Sequence, residues 1–304
     1  MTDWKLRRRA FLGAIPSLAI VAPAVAKVDL AIPDGTCDSH AHIYDPRFAY
    51  RPGLTVQPAT ATVDDYKSQV QDVLGIKRVI LITPSAYGAN NRCLLDSLAR
   101  IGRYALGTAV IKPDLADADL KGLHNAGVRG ARILPAARED IEPIAARVAP
   151  LGWHLQISLP GPQIAELETV LMRQPARFIM DHFAHVPQPE GLQSASYVAA
   201  RRLVDGGKGW IKMATPYEDS KIGPPDYPDV GIVARDFALH APERMVWATA
   251  WPYPAARPGL DATAMLNILS AWVPNAAVRN RILLENAELF YGFDPTDRPR
   301  TIAK

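Results

Sequence analysis

The first predicted strand carries the stretch Asp38-Ser39-His40-Ala41-His42-Ile43-Tyr44-Asp45-Pro46. His40 and His42 are two residues apart, so both imidazoles point to the same side of a strand. They can converge on one metal ion or one substrate group, or each can be a structural imidazole bonded to the backbone. The fold in which this strand lies decides between these interpretations.

Short apolar, β-branched runs alternate with helix-patterned stretches along the rest of the chain, as they do in βα units. Eight strands are predicted at Thr36–His42, Arg78–Thr83, Tyr104–Ile111, Val128–Leu134, His154–Ser158, Phe178–Phe183, Trp210–Thr215 and Met245–Trp251. Helices are predicted at Val63–Leu74, Arg92–Gly102, Gln163–Arg173, Ser196–Asp205, Val230–Ala241, Asp261–Trp272 and Asn280–Phe290.

Eight alternating units favour a closed barrel over an open doubly wound sheet. No Gly-x-Gly-x-x-Gly turn follows the first strand, which argues against dinucleotide binding. We therefore predict the α/β class, with a single (β/α)₈ TIM barrel over residues 27–304. In such a barrel the functional side chains lie at the C-terminal ends of the strands and in the following loops.

A signal peptide is predicted over residues 1–26. Met1–Arg9 is basic, Phe11–Pro23 is apolar and too short for a stable membrane span, and Ala24-Val25-Ala26 is a cleavage site. Arg8-Arg9-Ala10-Phe11-Leu12 resembles a twin-arginine signal, which indicates export to the periplasm with no stable membrane anchor after cleavage. The alternative is an uncleaved N-terminal anchor.

The charge of the remaining chain argues against nucleic acid as a partner. The 304 residues include 34 basic and 31 acidic side chains, and removing the predicted signal leaves equal numbers of each. We expect a small-molecule substrate, and nothing in the sequence indicates an oligomeric state. The two cysteines, Cys37 and Cys93, are too few for a disulfide scaffold and are expected to be free.

The fourth strand supplies two arginines, Arg129 and Arg132, which point to opposite sides of a regular strand. Arg132 is nearer the C-terminal end and is predicted to grip a carboxylate or lactone oxygen. Arg129 is a second candidate for substrate binding. The alternative for either residue is an ion pair at the barrel rim.

Several motifs occur in a specific order: Asp-Ser-His-x-His-Ile-Tyr-Asp-Pro, then Gly-Val-Arg-Gly-x-Arg, Asp181-His182, and Thr-x-Trp-Pro near the end. Together with the terminal stretch 284–293, this order resembles the amidohydrolase superfamily over residues 36–293. The resemblance is to the metal-independent branch that contains pyrone dicarboxylate lactonases and, more similar still, galactarolactone isomerases.

The resemblance implies catalytic roles for four residues: His40, His42, His182 and Arg132. The sequence departs from the pattern of the metal-dependent members at two places. Gln156 is nearest the position of a strand-five histidine, and Ala250 stands where a strand-eight aspartate is expected.

These departures bear on the cofactor. Zinc takes about four N, S or O ligands, and anionic charge helps to hold a dication. His40, His42 and His182 would offer three neutral ligands and no carboxylate, so we expect no cofactor. The alternative is zinc held by these three histidines.

The departures also bear on the reaction. Ala250 cannot act as the base that hydrolysis needs to activate water, whereas isomerisation needs only an internal hydroxyl held beside the lactone carbonyl. We predict a sugar-lactone isomerase. The alternatives are a lactone or ester hydrolase with a histidine base, and an inactive barrel that binds a small molecule.

The remaining candidates are substrate contacts. The resemblance places arginines in the lactonases where His185 and Glu218 stand here, which implies a less anionic, polyhydroxylated substrate. The alternative is that neither residue touches substrate. Further hydrogen bonds to substrate are predicted from Tyr50, Ser85, Gln156, Tyr217 and Tyr253. The three tyrosines could equally be lid packing.

Overall fold

The computed structural model describes residues 30–253 and 259–301. Its eight strands hydrogen-bond in the order β1 to β8, and every pair of neighbours is parallel. The strands are β1 Cys37–Ala41, β2 Arg78–Ile82, β3 Ala105–Ala109, β4 Val128–Ile133, β5 His154–Ile157, β6 Phe178–Met180, β7 Gly209–Met213 and β8 Met245–Trp247. The prediction of a (β/α)₈ barrel is confirmed. The predicted signal peptide, residues 1–26, lies outside the described residues.

Helices follow the strands and cover the outside of the barrel. The α-helices are Val63–Tyr66, Asp72–Leu74, Arg92–Ile101, Asp117–Asn125, Ile141–Val148, Gly161–Glu166, Glu168–Arg173, Ala195–Asp205, Pro216–Asp219, Pro228–His240, Ala262–Trp272, Ala276–Asn280 and Asn286–Tyr291. Wider π-type turns at Lys67–Gln71 and Arg281–Glu285 make the flanking helices continuous. Each predicted helix has a counterpart here, while Asp117–Asn125, Ile141–Val148 and the short helix Pro216–Asp219 were not predicted.

Short 3₁₀ turns complete the connections. They are Ser85–Tyr87, Pro135–Asp140, Ala149–Leu151, His182–His185, Gly191–Gln193 and Pro242–Arg244. Several strands end earlier than predicted, because the last residues of the predicted strands do not form the hydrogen bonds of the sheet. β6 stops at Met180, before four residues with positive φ, and β8 stops at Trp247, before Ala250 with φ 56°.

The barrel closes between β8 and β1 through side chains as well as backbone. Buried Asp38 accepts hydrogen bonds from Thr249 Oγ1 at 2.6 Å, the Thr249 amide at 2.9 Å and Tyr66 Oη at 3.0 Å. Burial raises the pKa of Asp38 to about 6, against the lowering effect of these bonds. Ala250 N donates to His40 O at 2.9 Å and His42 N to Trp251 O at 2.8 Å, so the end of β1 is fixed against the segment after β8.

The opposite end of the barrel holds both ends of the described chain. Buried Arg78, the first residue of β2, pairs with Glu288 at 2.6 Å and donates to the carbonyl oxygens of Gly35 and Asp294. Gly35 N donates to Pro299 O at 3.0 Å, and Thr301 Oγ1 donates to Pro33 O at 3.1 Å. The segment before β1 and the segment after the last helix therefore meet at the N-terminal end of the strands.

Both cysteines are buried and free, as expected. Within the described ranges, no helix combines the length and apolar character needed to cross a membrane.

Candidate active site

The two histidines of β1 form a hydrogen-bonded pair in the barrel interior. Their Nε2 atoms are 3.1 Å apart, and His42 Nδ1 lies 2.8 Å from Ile82 O. A carbonyl can only accept, so His42 Nδ1 carries the proton and its Nε2 accepts from His40 Nε2–H. Burial is the main cause that lowers the pKa of both rings, to about 3 for His42, so both are neutral.

Lys212 of β7 and Asp181 at the end of β6 complete the centre of the site. Lys212 Nζ lies 3.1 Å from Asp181 Oδ1 and 3.4 Å from His40 Nδ1, and both charged side chains are fully buried. Burial alone would raise the pKa of Asp181, but the Lys212 ammonium overrides it and holds the pKa well below its usual range. Asp181 is therefore an ion-paired carboxylate.

Arg132 and Gln156 face this pair from neighbouring strands, where the β4–β5 register places them opposite each other. Gln156 Nε2 donates to Asp181 Oδ2 at 2.9 Å. Arg132 donates from its two terminal nitrogens to Thr83 O and Ser158 Oγ, each at 3.1 Å. A guanidinium has five N–H donors, so Arg132 keeps donors for an anionic group.

A left-handed turn after β6 presents two further histidines. His182, Phe183, Ala184 and His185 have φ values between 45° and 58°, a region that costs an L-residue roughly 1–2 kcal/mol each. The ring centroids of His182 and His185 are 5.1 Å apart, and those of His182 and His40 are 5.2 Å apart. Burial lowers the pKa of His182 well below its usual value, and its buried Nδ1 has no hydrogen-bond partner in the described chain.

His185 lies at the edge of a cavity of about 450 Å³ that opens beside this turn. Its Nδ1 is 3.2 Å from Asp219 Oδ2, and its Nε2 is 3.9 Å from Glu218 Oε2. Burial would lower the pKa of His185, but the hydrogen bond and charge of Asp219 raise it. Ser158, the partner of Arg132, also lines the cavity, which links it to the buried centre.

Ala250 lies at the end of the barrel where β8 meets β1. It is buried, and its amide donates to His40 O. Two buried carboxylates lie near the histidine pair, and both have fixed partners: Asp38 bonds to Thr249 and Tyr66, and Asp181 to Lys212 and Gln156.

The structure brings His40, His42, His182, Arg132, Gln156 and His185 together, and it places other predicted contacts differently. Arg129 is not supported as a substrate contact, because its guanidinium donates to the carbonyl oxygens of His124 and Val128, away from the cluster. Ser85 is exposed at the start of the turn after β2. Tyr50 packs on Tyr87, with ring centroids 4.9 Å apart.

Two predicted tyrosine contacts follow the last two strands. Tyr217 is buried in the short helix Pro216–Asp219, beside Glu218. Tyr253 follows β8, and its partly buried ring packs against the hydrophobic core.

Sequence reasoning gave no role to Lys212, although a signal existed. A lysine within the apolar run Trp210-Ile211-Lys212-Met213 is rarely buried without a partner. Asp219 was also missed. Its role depends on His185, which is far away in sequence, and the loop pattern does not indicate the pairing.

Two groups in the described chain place three possible metal ligands within 4.8 Å of one another: His40, Asp181 and His182, and then His182, His185 and Glu218. Neither group includes His42. In the first group the Lys212 ammonium contacts both His40 and Asp181, and a second cation there would be repelled at short range. The buried centre therefore does not fit a metal ion.

Comparisons with known proteins give the relatives of this chain. The amidohydrolase family profile matches residues 37–293. The chain is 30% identical to D-galactarolactone isomerase of Agrobacterium fabrum, over 87% of this chain and 94% of that protein. It is 28% identical to 2-pyrone-4,6-dicarboxylate hydrolase of Comamonas testosteroni, over 88% and 93%.

The fold is also shared with solved structures. A ligand-free Agrobacterium tumefaciens protein superimposes with a TM-score of 0.80 at 30% identity, over 87% of this chain and 98% of that one. A probable 2-pyrone-4,6-dicarboxylic acid hydrolase of Acinetobacter baumannii gives 0.78 at 21% identity, over 85% and 100%. With the family profile covering the barrel from its first strand to its last helix, this chain belongs to the amidohydrolase family.

Proposed function

We propose that the chain is a lactone isomerase that moves the ring closure of a sugar lactone from one hydroxyl to another. The observation that carries this proposal is the set of groups around the His40–His42 pair, which are neutral imidazoles and cations. Both nearby carboxylates are held by fixed partners, and Ala250 follows β8. The relatives named D-galactarolactone isomerase and 2-pyrone-4,6-dicarboxylate hydrolase support lactone chemistry.

The proposed reaction needs no water and no net proton change. A substrate hydroxyl attacks the lactone carbonyl and loses its proton, and the former ring oxygen leaves and takes a proton. His182 suits this exchange because its imidazole is neutral and its Nδ1 has no partner in the described chain. One imidazole can accept the first proton and return it to the leaving oxygen.

Arg132 stabilises the oxyanion that forms in between. Its two hydrogen bonds to Thr83 O and Ser158 Oγ fix the guanidinium plane, and its remaining donors are free for the oxygen. The His40–His42 pair forms the neighbouring wall, and both of its N–H groups already have acceptors: His40 donates to His42 Nε2 and His42 donates to Ile82 O. No metal takes part in this proposal.

The cavity supports a polyhydroxylated substrate of low negative charge. Glu218 and Asp219 line it together with His185, and Lys221 adds one cation. Two carboxylates at the entrance disfavour a dicarboxylate and offer acceptors to substrate hydroxyls.

Hydrolysis is a second candidate, and the His185–Asp219 pair favours it. Asp219 holds Nδ1 and leaves Nε2 available at the cavity, an arrangement suited to a base that activates water. In that case acid would be released and His185→Gln would abolish its release.

One assay separates the candidates. Purified protein is incubated with each ring form of D-galactarolactone, and ring size and free acid are followed together by NMR. Ring exchange without acid is the expected result. Release of free acid identifies a hydrolase, and the absence of both, with saturable binding, identifies a binding barrel.

We also propose that the chain is exported to the periplasm by residues 1–26. The support is the twin-arginine pattern Arg8-Arg9 before an apolar stretch and a cleavage site. Fractionation of cells that produce the full chain tests this. Periplasmic protein should disappear when Arg8 and Arg9 are both replaced by lysine.

A further inference from the structure

Lys212 is an unusual residue for the interior of a barrel strand. Its side chain is fully buried, and within the described chain its ammonium contacts two side chains, at His40 Nδ1 and the Asp181 carboxylate. A buried ammonium survives only where it is paired and hydrogen-bonded. Asp181 supplies the opposite charge, and Gln156 satisfies the other oxygen of that carboxylate.

We propose that Lys212 is an internal cation that occupies the place of a metal ion and fixes the direction in which the two strand-one histidines share their protons. This assignment does not depend on the ring-exchange proposal. It concerns the resting protein, and both of its consequences are measured without substrate.

The direction of proton sharing follows from the two ends of the chain of hydrogen bonds. Lys212 is the donor at one end, so His40 Nδ1 must accept and the His40 proton lies on Nε2. Ile82 O can only accept at the other end, so the His42 proton lies on Nδ1 and its Nε2 accepts. The central contact of 3.1 Å between the two Nε2 atoms needs one donor and one acceptor, and both ends assign the same ones.

The charge argument is independent of these tautomers. His40, Asp181 and His182 are the buried group whose ligand atoms lie close enough for one ion. Lys212 Nζ contacts two of these three residues at 3.1 and 3.4 Å, while His40 Nδ1 and Asp181 Oδ1 are 3.7 Å from each other. The ammonium therefore neutralises the carboxylate that a dication would need and excludes the dication by repulsion.

Removing the Lys212 ammonium should allow a metal ion to bind to His40, Asp181 and His182. Lys212→Met keeps most of the length of the side chain and removes its charge, which leaves Asp181 buried without a cation and His40 Nδ1 without a donor. Lys208→Met is the matched control, because Lys208 precedes the same strand, is exposed and donates to Gln174 O on the outside of the barrel. All proteins carry His185→Gln, so that His182, His185 and Glu218 cannot bind the added ion.

Equilibrium dialysis against zinc followed by metal analysis gives the first readout. We expect about one zinc ion per chain in Lys212→Met. The parent protein, which keeps Lys212, and the Lys208→Met control should each bind less than about 0.1 zinc ion per chain. Adding His40→Asn to Lys212→Met should remove the zinc again. The proposal is overturned if Lys212→Met binds no more zinc than its parent, or if the parent itself binds one zinc that His40→Asn removes.

The second readout uses the unmodified protein and stands even if Lys212→Met does not fold. Long-range ¹⁵N–¹H correlation of the histidine rings should show His40 protonated at Nε2 alone and His42 at Nδ1 alone. A proton on His40 Nδ1 would overturn the assignment.

Discussion

At the scale of single residues, Ala250 is the position on which the proposed choice of reaction depends. Its φ of 56° belongs to the left-handed region, which aspartate and asparagine tolerate better than most residues. Its amide is held by His40 O, so a longer side chain at this position would start beside the end of β1.

Ala250→Asp should therefore fold and acquire hydrolytic activity, because a carboxylate can activate water where alanine cannot. The measurement is free acid released from aldarolactones, followed by NMR. Ala250→Asn is the control, with nearly the same shape and no base, and it should release none. Equal acid release by both variants, or by neither, would contradict the role given to this position.

At the scale of elements, one glycine permits the pairing of β4 with β5. Gly130 lies opposite His154 in the register, and a Cβ at Gly130 would approach His154 Nε2 to 2.3 Å. His154 is fully buried, with Phe290 and Tyr291 packed against its ring, so it cannot move aside.

Gly130→Ala should lower the free energy of unfolding by about 1–3 kcal/mol through overpacking. Gly122→Ala is the matched control, since Gly122 lies in the helix Asp117–Asn125 and a Cβ added there would point into open space. The control should be neutral or more stable by up to about 1 kcal/mol. Urea denaturation measures both, and equal midpoints for the two variants would refute the packing argument.

The sequence predicts the elements of this fold well because each strand is a short apolar run between turn residues. It also places His40, His42, His182 and Arg132 at strand ends, where the structure brings them together. The helix Asp117–Asn125 was missed because it buries only Leu120 and Leu123, too few to form a clear stripe.

The sequence could not predict which side chains from distant strands contact one another. The role of Lys212 depends on His40 and Asp181, which come from two other strands. The left-handed turn His182–His185 contains no glycine and gives no local sign of positive φ. The sequence favours Arg132 over Arg129 by its place nearer the end of β4, but the partners of the two guanidinium groups are visible only in the structure.

At the scale of the whole molecule, the barrel interior holds many uncharged imidazoles. Burial lowers the pKa of His40, His42, His154 and His182, to about 3 for His42. A folded pKa below the unfolded value near 6.5 gives stability that is complete above pH 6.5 and is lost as the pH falls toward the folded value. Asp38 acts in the opposite direction, because its raised pKa of about 6 favours folding at low pH.

Four imidazoles outweigh one carboxyl group, so stability should fall by about 4 kcal/mol per pH unit near pH 5. Chemical denaturation at pH 7, 6 and 5 measures this slope. His42→Gln should reduce this slope by about one proton, which is about 1.4 kcal/mol per pH unit. A flat profile from pH 7 to pH 5 would show that these rings are not held neutral.

The contact between the segment before β1 and the segment after the last helix has a practical consequence for the described part of the chain. Pro33 and Gly35 bond to Thr301 and Pro299 at the N-terminal end of the strands, while His185 and the cavity lie at the other end. A bead, a chip or a fusion partner attached beside Thr301 would lie at the N-terminal end of the strands, on the side of the barrel away from the cavity. With the protein immobilised in this way, the cavity faces the solution. The immobilised protein should therefore have the same activity as the free protein.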